Sequence, residues 1–283
     1  MKIGKYELKI IETGTFALDG GAMFGIIPKP LWQNGNPPDE LNRIALNARN
    51  LLLISQSKKI LIDTGIGNGW DEKFNRIYNV DYSMYSQQKS LDSYDIKADE
   101  ITDVILTHLH FDHTGGSVIR NNDIWMPMFP NAKYHVQKKH YEWAINPSDR
   151  DRGSFIRERF IPLMNEGILN LADSAEFDDE IEIIIANGHT FAQQLVKISD
   201  STNTILYCGD LLPFSTHIPI PYVMGYDLQP VVTVEEKHRI LSRAVDEDWV
   251  LFFEHDPFSV TGKLTRNEKG IVLNEKYPGF PND

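Results

Sequence analysis

The chain has almost no cysteine and too little positive charge, and each shortage excludes a class of function. Cys208 is the only cysteine in 283 residues, so no intrachain disulfide and no multi-cysteine zinc or iron–sulfur site can form. Lys and Arg number 28 against 40 Asp and Glu, a formal charge of −12. A nucleic-acid partner needs clustered cations against its phosphates, and the densest basic run, Lys138-Lys139-His140, is too short to supply them. No stretch approaches the ~18 apolar residues of a membrane helix. Residues 1–10 alternate polar and apolar side chains, which reads as a first β-strand and not as a secretory leader. The expectation is a cytoplasmic protein with neither nucleic acid nor membrane as partner.

What is present is ordinary for a globular protein, with 41% hydrophobic and 24% charged residues and no internal repeat. That length can bury a core without covalent staples, and residues 1–283 read as a single domain. Short runs rich in Ile, Val and Leu predict strands at Leu51–Ile54, Ile60–Ile62, Val104–Leu106, Tyr134–Val136, Ile181–Ile185, Leu195–Ile198, Thr204–Tyr207 and Trp249–Phe253. Helical spacing is clearest at Gln137–Ala144, Phe155–Met164 and Val234–Val245, the last with Thr233 as its N-cap. Ala22–Pro38 and Pro213–Pro230 read as long ordered loops. Mixed elements of this kind build sheets covered by helices, an α/β or α+β layered fold.

The informative segment is His108-Leu109-His110-Phe111-Asp112-His113, directly after a buried strand and before Gly115-Gly116. A strand that merely ends in polar residues accounts for one histidine. It does not account for three and a carboxylate within six positions, in a chain with nine histidines. In extended chain His108 and His110 project to the same side, so one strand end can supply ligands to two adjacent ions. Imidazole and carboxylate without thiolate suit zinc, manganese or iron. His189, Asp210 and His255 each follow a predicted strand as well, the placement a cluster at one rim of a sheet requires.

These residues, with Leu61-Ile62-Asp63-Thr64-Gly65 ahead of them, resemble the ordered landmarks of the metallo-β-lactamase-fold hydrolases from Asp63 to His255. The resemblance implies an α+β, four-layer αββα sandwich with two divalent metal ions at one edge of the sheets: zinc first, with manganese, iron or cobalt open. By it, His108, His110 and His189 hold one metal, Asp112, His113 and His255 the second, and Asp210 bridges both. Asp63 then orients a ligand imidazole; its alternative is a turn carboxylate after the hairpin.

Single residues separate the branches of that superfamily. His110 stands where flavodiiron proteins carry glutamate, and Cys208 does not match the cysteine ligand of the class B β-lactamases. The 28 residues after His255 leave no space for the C-terminal domain of glyoxalase-II-type thioesterases. The segment Leu18–Gly25 and Pro28–Trp32 is similar to the quorum-quenching N-acyl-homoserine lactonases. The implied activity is opening of a small lactone by hydroxide generated on the metals, with Asp112 passing the proton to the leaving alkoxide. Cleavage of phosphotriesters or aryl esters on the same site, or a metal-binding module without catalysis, are the alternatives. Lactonases often carry a tyrosine three residues after the bridging aspartate; Pro213 stands there, leaving His217, Tyr222 and Tyr226 as replacements. Met23, Phe24, Trp32, Phe111, Phe214 and Tyr222 are candidates for an apolar acyl pocket. His135 reads as a core histidine, and His140 and His238 as solvated. The oligomeric state stays open, a homodimer included.

Overall fold

Strands that are apolar at every position must be covered on both faces, and that is how these runs are used. The computed structural model describes residues 1–174 and 177–281. Among them, one seven-stranded sheet runs from edge to edge as Lys2–Ile3, Tyr6–Asp19, Arg43–Ile54, Lys59–Ile62, Asp103–Ile105, Lys133–Gln137 and Leu169–Ala172. A six-stranded sheet runs Ile181–Ala186, Gln193–Ser199, Thr204–Tyr207, Val250–Phe252, Thr261–Asn267 and Gly270–Tyr277. Leu51 and Leu53 enter the core between the two sheets together with Ile205, Tyr207, Val250 and Phe252. Leu52 faces the opposite way, into a core closed by Leu91, Ala144 and Leu163 of three helical segments. Leu206 and Leu251 likewise meet Ile240, Leu241 and Ala244 of the helix Pro230–Asp246. Helices therefore cover both outer faces, and the αββα sandwich is formed.

Three expectations change. Residues 1–10 are two strands, because Gly4 turns at φ 52 and pairs Ile3 with Tyr6. The helix expected over Phe155–Met164 is broken into a 3-10 turn at Arg157–Arg159 and a short helix at Ile161–Asn165. Pro162 explains this: a continuous helix would drive its ring into the carbonyl four residues earlier. The last long helix begins at Pro230, not at Val234. Proline fits the first helical position, where its missing N–H needs no partner, and Thr233 lies inside, its hydroxyl donating back to Gln229 O at 3.4 Å. The two long loops also contain short helical turns, at Gly20–Phe24, Lys29–Trp32 and Ser215–His217.

Close approaches then set the loops that leave the sheet edge. A Cβ on Gly115 would lie 1.9 Å from Ile66 O, and one on Gly188 2.5 Å from Thr233 Cα. Lys237 is fully buried, and its ammonium donates to the carbonyls of His217, Pro219, Ile220 and Tyr222 at 2.6–3.2 Å. Burial pushes that ammonium down to about 7, while the four carbonyls, which can only accept, favour its charged form. Replacing Lys237 by Met leaves those carbonyls without a donor and should lower unfolding stability by about 2–4 kcal/mol. Urea denaturation of the two proteins checks this, and an unchanged midpoint would contradict the pin.

Candidate metal centre

Ile181–Ala186, Thr204–Tyr207 and Val250–Phe252 all point the same way, so His189, Asp210 and His255 leave that sheet at one edge. Lys59–Ile62 and Asp103–Ile105 are parallel in the facing sheet, which delivers Asp63 and the segment His108–His113 to the same place. All seven expected ligand side chains are buried there, in one group of His108, His110, His189 and Asp210 and an adjacent group of Asp112, His113 and His255.

His110 Nδ1 lies 3.0 Å from His108 Nε2 and 3.2 Å from His189 Nε2. His113 Nε2 and His255 Nε2 are 3.3 Å apart. Asp210 stands between the groups. Its Oδ2 is 3.2 Å from His189 Nε2 and 3.9 Å from His108 Nε2, and its Oδ1 is 3.2 Å from His255 Nε2 and 3.4 Å from His113 Nε2. Asp112 Oδ2 lies 3.8 and 3.9 Å from the Nε2 atoms of His255 and His113.

The donor set fits divalent cations. Two nitrogens on one tetrahedral ion, with bonds of about 2.0–2.1 Å, sit about 3.3 Å apart, close to the spacing of these rings. Asp210 Oδ1 is buried with no well-aimed hydrogen bond. The rear nitrogens of His108, His113, His189 and His255 are tied down, which aims the others inward, whereas His110 Nε2 is buried without a hydrogen-bond partner. His255 Nδ1 donates to Asn47 O at 2.8 Å, and His189 Nδ1 to Asp227 Oδ1 at 3.0 Å. His113 Nδ1 meets Asp63 Oδ2 and Glu254 Oε2, each at 3.1 Å. Asp63 also accepts from Thr107 N and Thr107 Oγ1 at 2.7 Å, so Thr107 Oγ1 is left to accept from His108 Nδ1 at 3.0 Å. Asp63 thus touches one ligand ring directly and a second through a hydroxyl.

Burial, the largest effect on these rings, takes His108 and His110 well below the usual histidine range. At His113 burial is outweighed by the charges of Glu254, Asp210 and Asp112, and its pKa rises. At His255 burial is outweighed by the hydrogen bond and charge of Asp210, which carry the ring to about 9. Glu254 is pushed up to about 7, first by burial.

Above this floor opens a cavity of about 210 Å³. Met23, Phe111 and Tyr226 line it, with Leu18, Leu46 and Leu228. Phe24, Trp32, Phe214, His217 and Tyr222 do not. Phe24 stacks on Trp32 and on His217, 5.2 and 4.7 Å between centroids, and His217 Nε2 donates to Met23 O at 2.8 Å. They form the backing of the wall, not its surface. Pro213 offers its carbonyl to His255 N at 3.2 Å. His140 is buried, correcting the solvated reading: its Nε2 accepts from Leu109 N at 2.8 Å and its Nδ1 donates to Phe191 O at 2.7 Å, pinning the residue between two ligand positions. His135 is half-buried against Asp103, and His238 is exposed. Sequence reasoning missed Glu254, Asp227 and Thr107. Glu254 and Thr107 each adjoin a ligand histidine, a weak signal that was there to read; Asp227 sits 38 residues from His189 with no spacing to mark it.

Residues 46–255 match the sequence profile of the metallo-beta-lactamase superfamily. The N-acyl homoserine lactonase AttM of Agrobacterium fabrum is 29% identical over 161 residues, 54% of this chain and 57% of that one; the match spans little more than half of either protein. The crystal structure of a probable metal-dependent hydrolase from Staphylococcus aureus superposes with a TM-score of 0.88 at 28% identity, covering 98% of this chain and all of the other. AidC, a dizinc quorum-quenching lactonase, gives 0.80 at 22% identity, over 100% and 97% of the two chains.

Two outcomes follow from the geometry. Asp227→Asn should weaken binding of one cation about 10–100-fold and leave the other in place, as metal analysis after dialysis would show; equal loss of both ions contradicts the assignment. Because His255 holds its proton up to about 9, a cation must displace it at neutral pH. Affinity should therefore rise with pH toward 9, about tenfold per unit for each proton displaced. Calorimetry in buffers of different ionisation enthalpy counts those protons, and zero release would refute the point.

Proposed function

The chain belongs to the metallo-beta-lactamase superfamily, and from that premise we propose that it is a metal-dependent hydrolase that opens N-acyl-homoserine lactones or similar small lactones. The observation that carries the reading is the Asp210 carboxylate, whose two oxygens face two different imidazole groups at the floor of a largely apolar cavity. His108, His110 and His189 would hold one cation, Asp112, His113 and His255 the other, with Asp210 shared. Bound there, divalent ions supply Lewis acidity to an ester carbonyl and acidify water toward a pKa of ~7.

The remaining chemistry falls to the chain. Leu18, Met23, Leu46, Phe111 and Leu228 offer an acyl group an apolar wall. Asp112 lines the cavity and accepts no hydrogen bond from the described residues, so its carboxylate is available to carry a proton to the leaving oxygen. Tyr226 is the one candidate for the missing lactonase tyrosine that reaches this cavity. Its enclosure first, then Tyr78, Asp19 and Asp112, push its phenol up, so it keeps its proton and can donate to a substrate carbonyl. The low-identity likeness to AttM and AidC supports a lactone over other esters.

Proton release from a panel of N-acyl-homoserine lactones tests this, with metal-loaded wild type beside Asp210→Ala. We expect turnover that varies with acyl length and falls at least about 100-fold in the variant. No turnover from protein carrying its metals would sink the lactone assignment and turn attention to phosphotriesters and aryl esters.

A further inference from the structure

The wall of the cavity carries one cation. Arg150, in the loop after the helix Lys138–Ile145, lines the cavity beside Tyr226 and Ser154. Its Nη2 donates to Gly225 O, and more weakly to Asp227 O at 3.4 Å. Its Nε and Nη1 have no acceptor, and no carboxylate lies within ion-pair distance among the described residues. Asp151, the adjacent acid in the same wall, does not serve it. That carboxylate is buried and accepts from Trp143 Nε1 at 2.7 Å and Ser148 Oγ at 2.6 Å. Surface arginines without an acid partner are common; one lining a cavity whose wall is largely apolar, beside an acid already occupied by Trp143 and Ser148 and with part of its own fork unused, is placed to meet an incoming oxygen.

A guanidinium binds a carboxylate through parallel N–H donors with more strength and direction than it binds a neutral carbonyl. Its contact to Gly225 O also holds it in position, because Gly225 N donates to Ala22 O at 2.7 Å and the loop is thereby fastened to the opposite wall. We propose that Arg150 is a specificity-determining residue that selects lactones carrying a carboxylate on the acyl side, remote from the ring ester. This rests on the lactonase reading above and narrows it: the ring lies over the histidines, the chain crosses the apolar wall, and its anionic end meets Arg150 at the rim.

The test compares N-succinyl- with N-butyryl-homoserine lactone, which match in acyl length and differ by a terminal carboxylate in place of a methyl. Metal-loaded wild type, Arg150→Met and Arg150→Lys are assayed on both. In Arg150→Met the succinyl-to-butyryl ratio of kcat/KM should fall at least about tenfold, chiefly through KM, with partial recovery in Arg150→Lys. A ratio that stays within about threefold overturns the assignment, since an arginine that only fastens the loop would slow both substrates alike. The neutral succinamoyl analogue separates charge from hydrogen bonding: if it matches the succinyl substrate in wild type, selection of an anion is refuted.

Binding gives a readout independent of turnover. Calorimetry with the ring-opened succinyl and butyryl products should show the same loss of preference in Arg150→Met, and an unchanged preference overturns the proposal. If wild type opens neither lactone, the lactonase reading fails while the calorimetry still decides the role of Arg150.

Discussion

A carboxylate buried between two groups of imidazoles is the interaction on which the rest of this structure depends. Asp210 is almost wholly removed from water, and a buried ionised carboxylate costs several kcal/mol unless positive charge surrounds it. Protons on His113 and His189 can supply that charge, and they hold the Asp210 pKa well down against the burial that pushes it up. Divalent cations supply more of it in the same space. Either way the rings must present nitrogen to the carboxylate and cannot rotate away, so the far side of each becomes a structural problem in its own right.

The solutions come from outside the motif. His255 is gripped through its ring by Asn47 O, and its flanking chain is held by Arg49, which donates to Phe253 O and Asp256 O at 2.9 and 3.0 Å and pairs with Glu12 at 2.7 Å. His108 and His113 both lead back to Asp63. Asp63 sits at φ 57, a left-handed conformation that costs an aspartate about 1–2 kcal/mol. Two hydrogen bonds from Thr107 hold it there, so backbone strain at one strand end is stabilised by a residue just past the end of the neighbouring strand Asp103–Ile105. The same turn delivers Thr64, whose N–H and hydroxyl both donate to His113 O.

Much of this was legible because metal chemistry demands particular side chains. With the lone cysteine outside the motif, imidazole and carboxylate are left to serve, and their placement after apolar runs marks the sheet edge. The strands were legible for a similar reason: Leu51-Leu52-Leu53 and Ile205-Leu206-Tyr207 are apolar at successive positions because both faces are covered. Long-range partners were not. Asn47 contributes a carbonyl, which every residue possesses, and Asp227 lies in a loop whose path depends on the whole fold. His140 was misread because a helical position says nothing of what packs over it; here both its nitrogens are used by backbone. The strand Thr261–Asn267 is largely polar and carries no apolar run, and its edge neighbour Gly270–Tyr277 offers only the short run Ile271-Val272-Leu273 before polar residues, so neither stands out in the sequence.

The cavity wall obeys a weaker rule than the floor, and this separates reaction class from substrate. A position facing an acyl chain must be apolar, but so must a position backing the wall, and the sequence does not tell Met23 from Phe24. The rim is assembled from three distant segments: the turn after Asp19, the loop around Arg150 and the loop from Pro213 to Pro230, joined by Gly225 N to Ala22 O and by Arg150 to Gly225 O. The loop from Pro213 to Pro230 also braces the floor, through Asp227 on His189 Nδ1 and Pro213 O on His255 N. The turn after Asp19 and the loop around Arg150 make no hydrogen bond to the ligand side chains among the described residues and are able to vary with less effect on it. Substrate choice is then carried by the few rim groups whose hydrogen-bonding capacity the fold leaves unfilled. A charged group at the cavity rim, held by backbone carbonyls alone and with donors left over, is the strongest of these, because a guanidinium loses more free energy than a hydroxyl when it is desolvated without an acceptor.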